Sequence, residues 1–221
     1  MLGTSGFLYR SNKVMYDAGT TSLWSTLHGE PVSGPLVGKG IKLKRQSVVT
    51  TTWGKWKKRH PKTTVLSLKT GHRRDYGEGV AYQSYFATDD VMFAVPKVDK
   101  RLPNKREIVA LRNTEKNSAV AIDTEFLKKK RLYNLNVGKD KVLIVTTPEG
   151  ESRVYNTNGH SFASWNNWDS LVDKAGVQWE LTENEIKSKG TAEKSFPRYP
   201  SHQSFWFGWN AQFPKARLIK E

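Results

Sequence analysis

Rings recur at helical spacing in two places along the chain. Trp53, Trp56 and His60 stand at i, i+3 and i+7, and Trp206, Trp209 and Phe213 repeat that spacing. Steps of three and seven residues bring a helix round by nearly whole turns, so each triplet lies on one face. Thr51 or Thr52 is placed to cap the first helix, and Ser201 or Ser204 the second. His60 and Phe213 each precede a proline, Pro61 and Pro214, which disfavours helical geometry at the residue before it and ends the helix. Beyond the prolines, residues 63–68 and 216–219 are rich in β-branched and aliphatic side chains and predict strands. Each unit is a short ring-faced helix turning through proline into a strand, and a helical ring stripe ordinarily packs into a core.

Elsewhere the apolar pattern is that of short strands. Residues 7–9 and 13–16 read as a hairpin around Arg10, Ser11 and Asn12, and residues 17–20 as a turn. A strand at 22–27 carries Trp24, and 41–43 and 47–50 are strand candidates that lead into the first helix. Residues 29–40 are loop-rich, with Pro31, Gly34, Pro35 and Gly38. Residues 69–85 mix Gly, Tyr and titratable groups without periodicity, the composition of a loop able to carry function. Residues 98–106, with Pro103, read as a connector. From Glu107 the chain predicts a meander, with strands at 108–111, 118–122, 142–147 and 152–156 and turns at 136–140 and 148–150.

Residues 171–179 echo the first half: Asp173, Ala175, Gly176 and Trp179 follow the order of Asp17, Ala18, Gly19 and Trp24. Together with the paired helices this predicts an internal duplication offset by roughly 150 residues, too long a period for a solenoid. The expected fold is α+β, mostly antiparallel β, in two pseudo-symmetric halves each with a short Trp-bearing helix. The halves run over 1–104 and 105–221 and share one globular unit. The second half has a strand-rich lead-in from Glu107 to about His160, whereas residue 1 already lies inside the repeat. The first copy is therefore expected to be shorter, or to lack a lead-in that would pair its strand edges.

Composition narrows the partner class. The 36 Lys and Arg against 21 Asp and Glu leave a formal charge of +15, which favours an anionic or glycan-like partner. Basic residues cluster at 55–59, 72–74 and 128–131, but no zinc-finger spacing, RNA-binding signature or basic heptad accompanies them, so nucleic acid has charge in its favour and no motif. No apolar run approaches the roughly 18 residues of a membrane helix. The first seven residues have no basic start before a long apolar core and do not read as a signal peptide. There is no Cys, so disulfides, thiolate metal sites and a Cys nucleophile are excluded within this chain.

The five histidines, His28, His60, His72, His160 and His202, form no i, i+4 pair, and no metal or cofactor site is expected. A Gly-x-Ser-x-Gly nucleophile motif and a phosphate-binding loop are also absent. One break in the duplication stands out: His60 is a polar ring where its counterpart, Phe213, is apolar. Asp17 and Asp75 lie in the same half, so His60, Asp17 and Asp75 are the candidate catalytic set, a His with carboxylates for general acid–base work. Arg10, Tyr16, His72, Arg74, Tyr76 and His202 are the candidate ligand-binding residues. The bland alternative for each is a hydrogen-bonded network tying a loop to the core.

Several motifs carry a resemblance. Gly3-x-Ser5-Gly6-x-Leu8-Tyr9, Met15-Tyr16-Asp17, Ser22-Leu23-Trp24, Gly34-Pro35-Leu36, Thr52-Trp53-Gly54-x-Trp56 with His60-Pro61, Arg74-Asp75-Tyr76 and His202-x-x-Phe205-Trp206-Phe207-Gly208-Trp209 span nearly the whole chain. This pattern resembles the bacterial and archaeal family filed as domain of unknown function 3179. Longer members of that family carry an upstream Cys-Pro-x-x-Gly-like motif, often behind an export signal. The resemblance thus implies export, while any thiol or metal chemistry built on that motif does not carry over to a chain without Cys. The family brings no activity with it. Three readings follow: a basic, Trp-rich binding module for an anionic or glycan-like partner; a hydrolase-like enzyme using His60, Asp17 and Asp75; and a scaffold subunit that pairs with another chain through exposed strand edges.

Overall fold

The computed structural model describes residues 1–113, 118–167, 169–189 and 194–221. Strand β1 (Leu2–Tyr9) turns through Arg10 and Ser11, both at positive φ, into β2 (Asn12–Asp17), the geometry a two-residue hairpin demands. Strands β3 (Leu23–Ser25) and β4 (Glu30–Ser33) complete an antiparallel sheet in the order β1-β2-β3-β4. From there to residue 106 the regular structure is two short helices, α1 (Trp53–Arg59) and α2 (Gln83–Phe86).

The second part is denser. Strand β5 (Glu107–Asn113) pairs antiparallel with β6 (Ser118–Asp123), and Asp123 caps α3 (Thr124–Lys130), its carboxylate accepting the Glu125 amide at 3.2 Å. The basic run noted in the sequence lies in the last turn of α3, where Lys128, Lys129 and Lys130 complement the negative end of the helix dipole. Strands β7 (Leu132–Val137), β8 (Asp140–Thr146) and β9 (Ser152–Asn156) form a three-stranded meander. A five-stranded meander follows: β10 (Phe162–Asn167), β11 (Ser170–Asp173), β12 (Gln178–Leu181), β13 (Glu185–Ser188) and β14 (Ser195–Pro197). The chain then returns. Strand β15 (Ser201–Phe205) pairs antiparallel with β5, helix α4 (Trp206–Gln212) crosses the sheet, and β16 (Arg217–Ile219) runs parallel to β6.

Side chains alternate across β5 and β8, and both faces of each strand are covered. Ile108 and Ala110 of β5 point to Trp206, Trp209 and Phe213, while Val109 and Leu111 point to Val142, Ile144 and Val154. Leu143 and Val145 of β8 point the other way, into Leu171, Trp179, Ile186 and Phe196. Burial on both sides is why these strands read as continuous apolar runs. The interior is thus three clusters in register through two shared sheets. Among the described residues, Val14 and Trp24 are the buried apolar side chains that precede Leu102.

The α+β, mostly antiparallel architecture is as expected, and the two Trp helices both form. Their surroundings differ. Helix α4 buries six of its seven residues, with Trp206 at 0% exposure. Helix α1 buries none, and Trp53 is 45% exposed, so its ring face is not the core anchor the spacing predicts. Residues 63–68 form no strand, because no described backbone lies alongside to pair with them. The candidates at 41–43 and 47–50 likewise form no ladder; their backbone contacts are Leu43 N–H to the Gly29 carbonyl and Val48 N–H to that of Ser201. Thr52 caps α1 as expected, but α4 starts at Phe205 without a side-chain cap, so neither Ser201 nor Ser204 serves there. What the two units share is local geometry.

Candidate functional site

The residue 43–48 segment crosses between the first sheet and the body of the protein. Its amide contacts to Gly29 and Ser201, together with Ser47 Oγ donating to the Tyr199 carbonyl at 2.7 Å, stitch it down at both ends. Beneath it opens a cleft of about 360 Å³ lined by Leu27, Lys44, Arg45, Gln46, Ser201 and His202, among others. Cations gather around this cleft. Arg45 is half-buried, and its Nη2 donates to the Arg112 carbonyl at 2.5 Å. Arg112, on β5, is only 6% exposed; its Nη1 donates to the His28 carbonyl at 3.2 Å and its guanidinium covers the Phe213 ring at 4.8 Å. The Arg112 Nε is buried with no hydrogen-bond partner among the described residues. The His28 ring lies 4.5 Å from that of Phe213, so Phe213 contacts both an imidazole and a guanidinium.

No described carboxylate forms an ion pair with Arg45 or Arg112. The acid that acts on Arg112 through space is Glu30, and Glu30 is engaged by Lys42 at 3.2 Å. Burial lowers the pKa of both guanidiniums, and in Arg45 the neighbouring Arg112 adds to it. His28 is lowered by burial first and by Arg112 next. His202, on β15, is pushed down to about 4 by burial and then by Arg45; its Nε2 is buried without a partner among the described residues and its ring meets Trp209 edge-on at 5.6 Å. Arg45 and His202 thus line the cleft, Arg112 and His28 adjoin it through the Arg45–Arg112 and Arg112–His28 hydrogen bonds, and among the described residues no carboxylate is ion-paired with either guanidinium. Removing an ion from water costs several kcal/mol unless a counter-charge or hydrogen bonds replace the solvent, and an anion would supply both.

Of the sequence candidates, His202 lies at this cleft, and the Arg10 charge reaches His28 through space. The Arg10 carbonyl accepts from Gln212 Nε2 at 3.1 Å, which joins the first hairpin to α4. The proposed catalytic set is dispersed. His60 caps the end of α1, its ring 4.0 Å from that of Trp56. Asp17 closes the β2–β3 turn, accepting from the Gly19 and Thr20 amides and the Thr20 hydroxyl. Asp75 accepts from the Gly77 amide in an exposed loop. No hydrogen bond or ion pair joins His60 to either carboxylate. Tyr16 lies on β2; His72, Arg74 and Tyr76 are exposed in the loop, where Tyr76 hydrogen-bonds Thr70 at 2.9 Å. Arg45, Arg112 and His28 were not among the candidates, because nothing in local spacing reveals which arginine a fold will bury.

A second charged cluster is closed on itself. Glu151 is buried and receives Arg59 Nη2 at 2.6 Å together with the Thr51 hydroxyl, so α1 is tied to the start of β9. Arg153, wholly buried, makes a two-pronged pair with Glu183. This network pairs its charges and holds elements together, unlike the open cation set at the cleft. Among the described residues no group of three or more His, Cys, Asp or Glu is placed to hold a metal ion, and no helix is long and apolar enough to cross a membrane.

No curated protein and no solved structure matches the chain. A family model does, over residues 1–216 of the 221. The motifs that carried the resemblance, both Trp helices and the first hairpin among them, fall inside that match. The chain belongs to the family of proteins of unknown function designated DUF3179.

Proposed function

We propose that this protein is a binding module for an anionic partner, a ligand bearing carboxylate, sulfate or phosphate groups such as an acidic glycan. The observation that carries the reading is Arg112: a guanidinium 6% exposed, with an orphaned Nε and no carboxylate partner among the described residues. Arg45, Lys44 and His202 line the adjoining cleft, and the net charge of +15 draws anions to the surface from a distance. Arg45 engages the ligand directly, and Arg112 supplies the fixed positive field beside it.

The test is titration of the full chain with a sulfated oligosaccharide, a polyuronate and a neutral oligosaccharide, at low and high salt. Binding of the anionic ligands that weakens with salt and drops about tenfold or more in Arg45→Gln is the expected result. Equal binding of the neutral sugar, or indifference to both salt and Arg45→Gln, overturns the reading.

A further inference from the structure

The two Trp helices share their local geometry so closely that the second shows what the first lacks. Thr52 and Phe205, at the helix starts, have φ/ψ of −78°/150° and −77°/144°. His60 and Phe213, at the ends, have −124°/67° and −128°/69°, and each amide donates to a carbonyl four residues back, Trp56 or Trp209. The next turn also matches: Thr63 N–H meets the His60 carbonyl at 3.0 Å, and Ala216 N–H that of Phe213 at 2.9 Å. Beyond that point the second unit continues as a covered strand and the first as an exposed segment without a ladder. Ile219 and Leu66 stand at the same distance past Trp206 and Trp53. Ile219 is 9% exposed and paired with Ile122 of β6; Leu66 is 93% exposed, with Val65 and Leu68 bare on either side.

In the second unit the strand cover is the antiparallel pair β5–β6, with Leu102 and Asp99 beside it. It pairs antiparallel with β15 ahead of the helix and parallel with β16 after it, and it presents Ile108, Ala110 and Ala121 to the indoles. We propose that the face formed by Trp53, Val65, Leu66 and Leu68 is the docking site for a β-hairpin of that same chemistry, small and aliphatic on its inner face, contributed by another polypeptide. One of its strands runs parallel to residues 64–66 and turns them into the strand that their composition favours. This is recognition by strand addition, in which main-chain hydrogen bonds give affinity and the inward side chains give selectivity. It also accounts for an exposed apolar run that an isolated domain would ordinarily cover.

Hydrogen exchange on the full chain, with and without a synthetic peptide of residues 107–123, tests the proposal. In the free chain the amides of 64–68 exchange at near-unprotected rates. With peptide they slow at least tenfold, and Trp emission shifts to the blue as Trp53 is covered. A peptide carrying Ile108→Lys and Ala121→Lys produces neither change. The same hairpin joined to Met1 through a long Gly/Ser linker removes any dependence on the isolated peptide's own folding, since tethering raises its effective concentration to the millimolar range. Protection of 64–68 in the free chain at low concentration, equal protection by the Lys-bearing peptide, or none with the tethered hairpin overturns the proposal. Protection that instead grows with the chain's own concentration overturns it in favour of a second copy.

Discussion

Arg59 on α1 and Glu151 beside β9 meet at 2.6 Å across the boundary between the sparsely packed first part of the chain and its dense second part. Glu151 is 3% exposed in its side chain and also receives the Thr51 hydroxyl, with Lys55 at 4.0 Å and Arg153 at 3.8 Å. Removing the carboxylate leaves several cations facing one another in a water-poor place. Glu151→Ala is expected to lower stability by about 3 kcal/mol, the scale of breaking a buried pair from one side. Denaturant unfolding measures it, and hydrogen exchange should show α1 loosening first. Arg59→Met, which removes the more exposed partner, should cost distinctly less.

His202 sets a pH dependence. Its pKa in the folded chain is about 4, below the ordinary value of 6.5, because burial and Arg45 disfavour its charge. The unfolded chain therefore binds the proton more readily. Stability is whole above about pH 6.5, falls as pH drops below it, and levels off below about 4, for a total on the order of 3 kcal/mol. His202→Phe should flatten that slope in urea titrations run between pH 4 and 7. A bound anion favours protonated His202, so affinity in the cleft should rise as pH falls from 7 to 5, and by linkage the ligand should raise the His202 pKa seen by NMR.

The paired indoles predict opposite outcomes from one substitution. Trp206→Ala empties a site at 0% exposure against Ile108 and Ala110 and should cost about 3–5 kcal/mol. Trp53→Ala removes a ring that is 45% exposed and should cost under about 1 kcal/mol. Thermal melts of the two variants separate them.

Asp173 supplies a further acid-side test. Burial alone would raise its carboxyl, but the Val177 amide, the Trp179 indole, His160 and the Ala175 amide outweigh burial and hold it below the ordinary range. A lowered carboxylate contributes stability that is present above the unfolded pKa of about 4 and lost as pH falls through the lower folded value. Asp173→Asn should be destabilised at neutral pH and lose less than the parent does between pH 5 and pH 3, because the contribution of Asp173 is already gone.

Much of this architecture was legible from residue pattern. The hairpin at Arg10–Ser11, the β5, β6, β8 and β9 strands and both Trp helices follow from local spacing and turn chemistry. The echo at Asp17 and Asp173 is also real at the level of the turn, since each carboxylate caps the amides that follow it. Residues 63–68 show the limit: β propensity expresses itself only beside a partner strand, and none is described there. Strand β7 and helix α3 went unread because Leu132, Leu135 and Val137 are spaced among polar residues, and the Lys run of α3 looks like surface charge rather than a helix end. The cation cleft was illegible for another reason. Arg45, Arg112 and His28 come from three distant segments, and only the crossing of 43–48 over β15 brings them together. His202 was reachable because it adjoins a Trp motif.

Because β5 shows one face to the indoles of α4 and the other to the valines of the next sheet, it belongs to two interiors at once, and β8 does the same one layer further on. Heat cannot dissolve one of these compartments and spare its neighbour, since each wall is shared. Residues 105–221 should therefore melt in a single sharp calorimetric step, while the more loosely attached first hundred residues let go at a lower temperature.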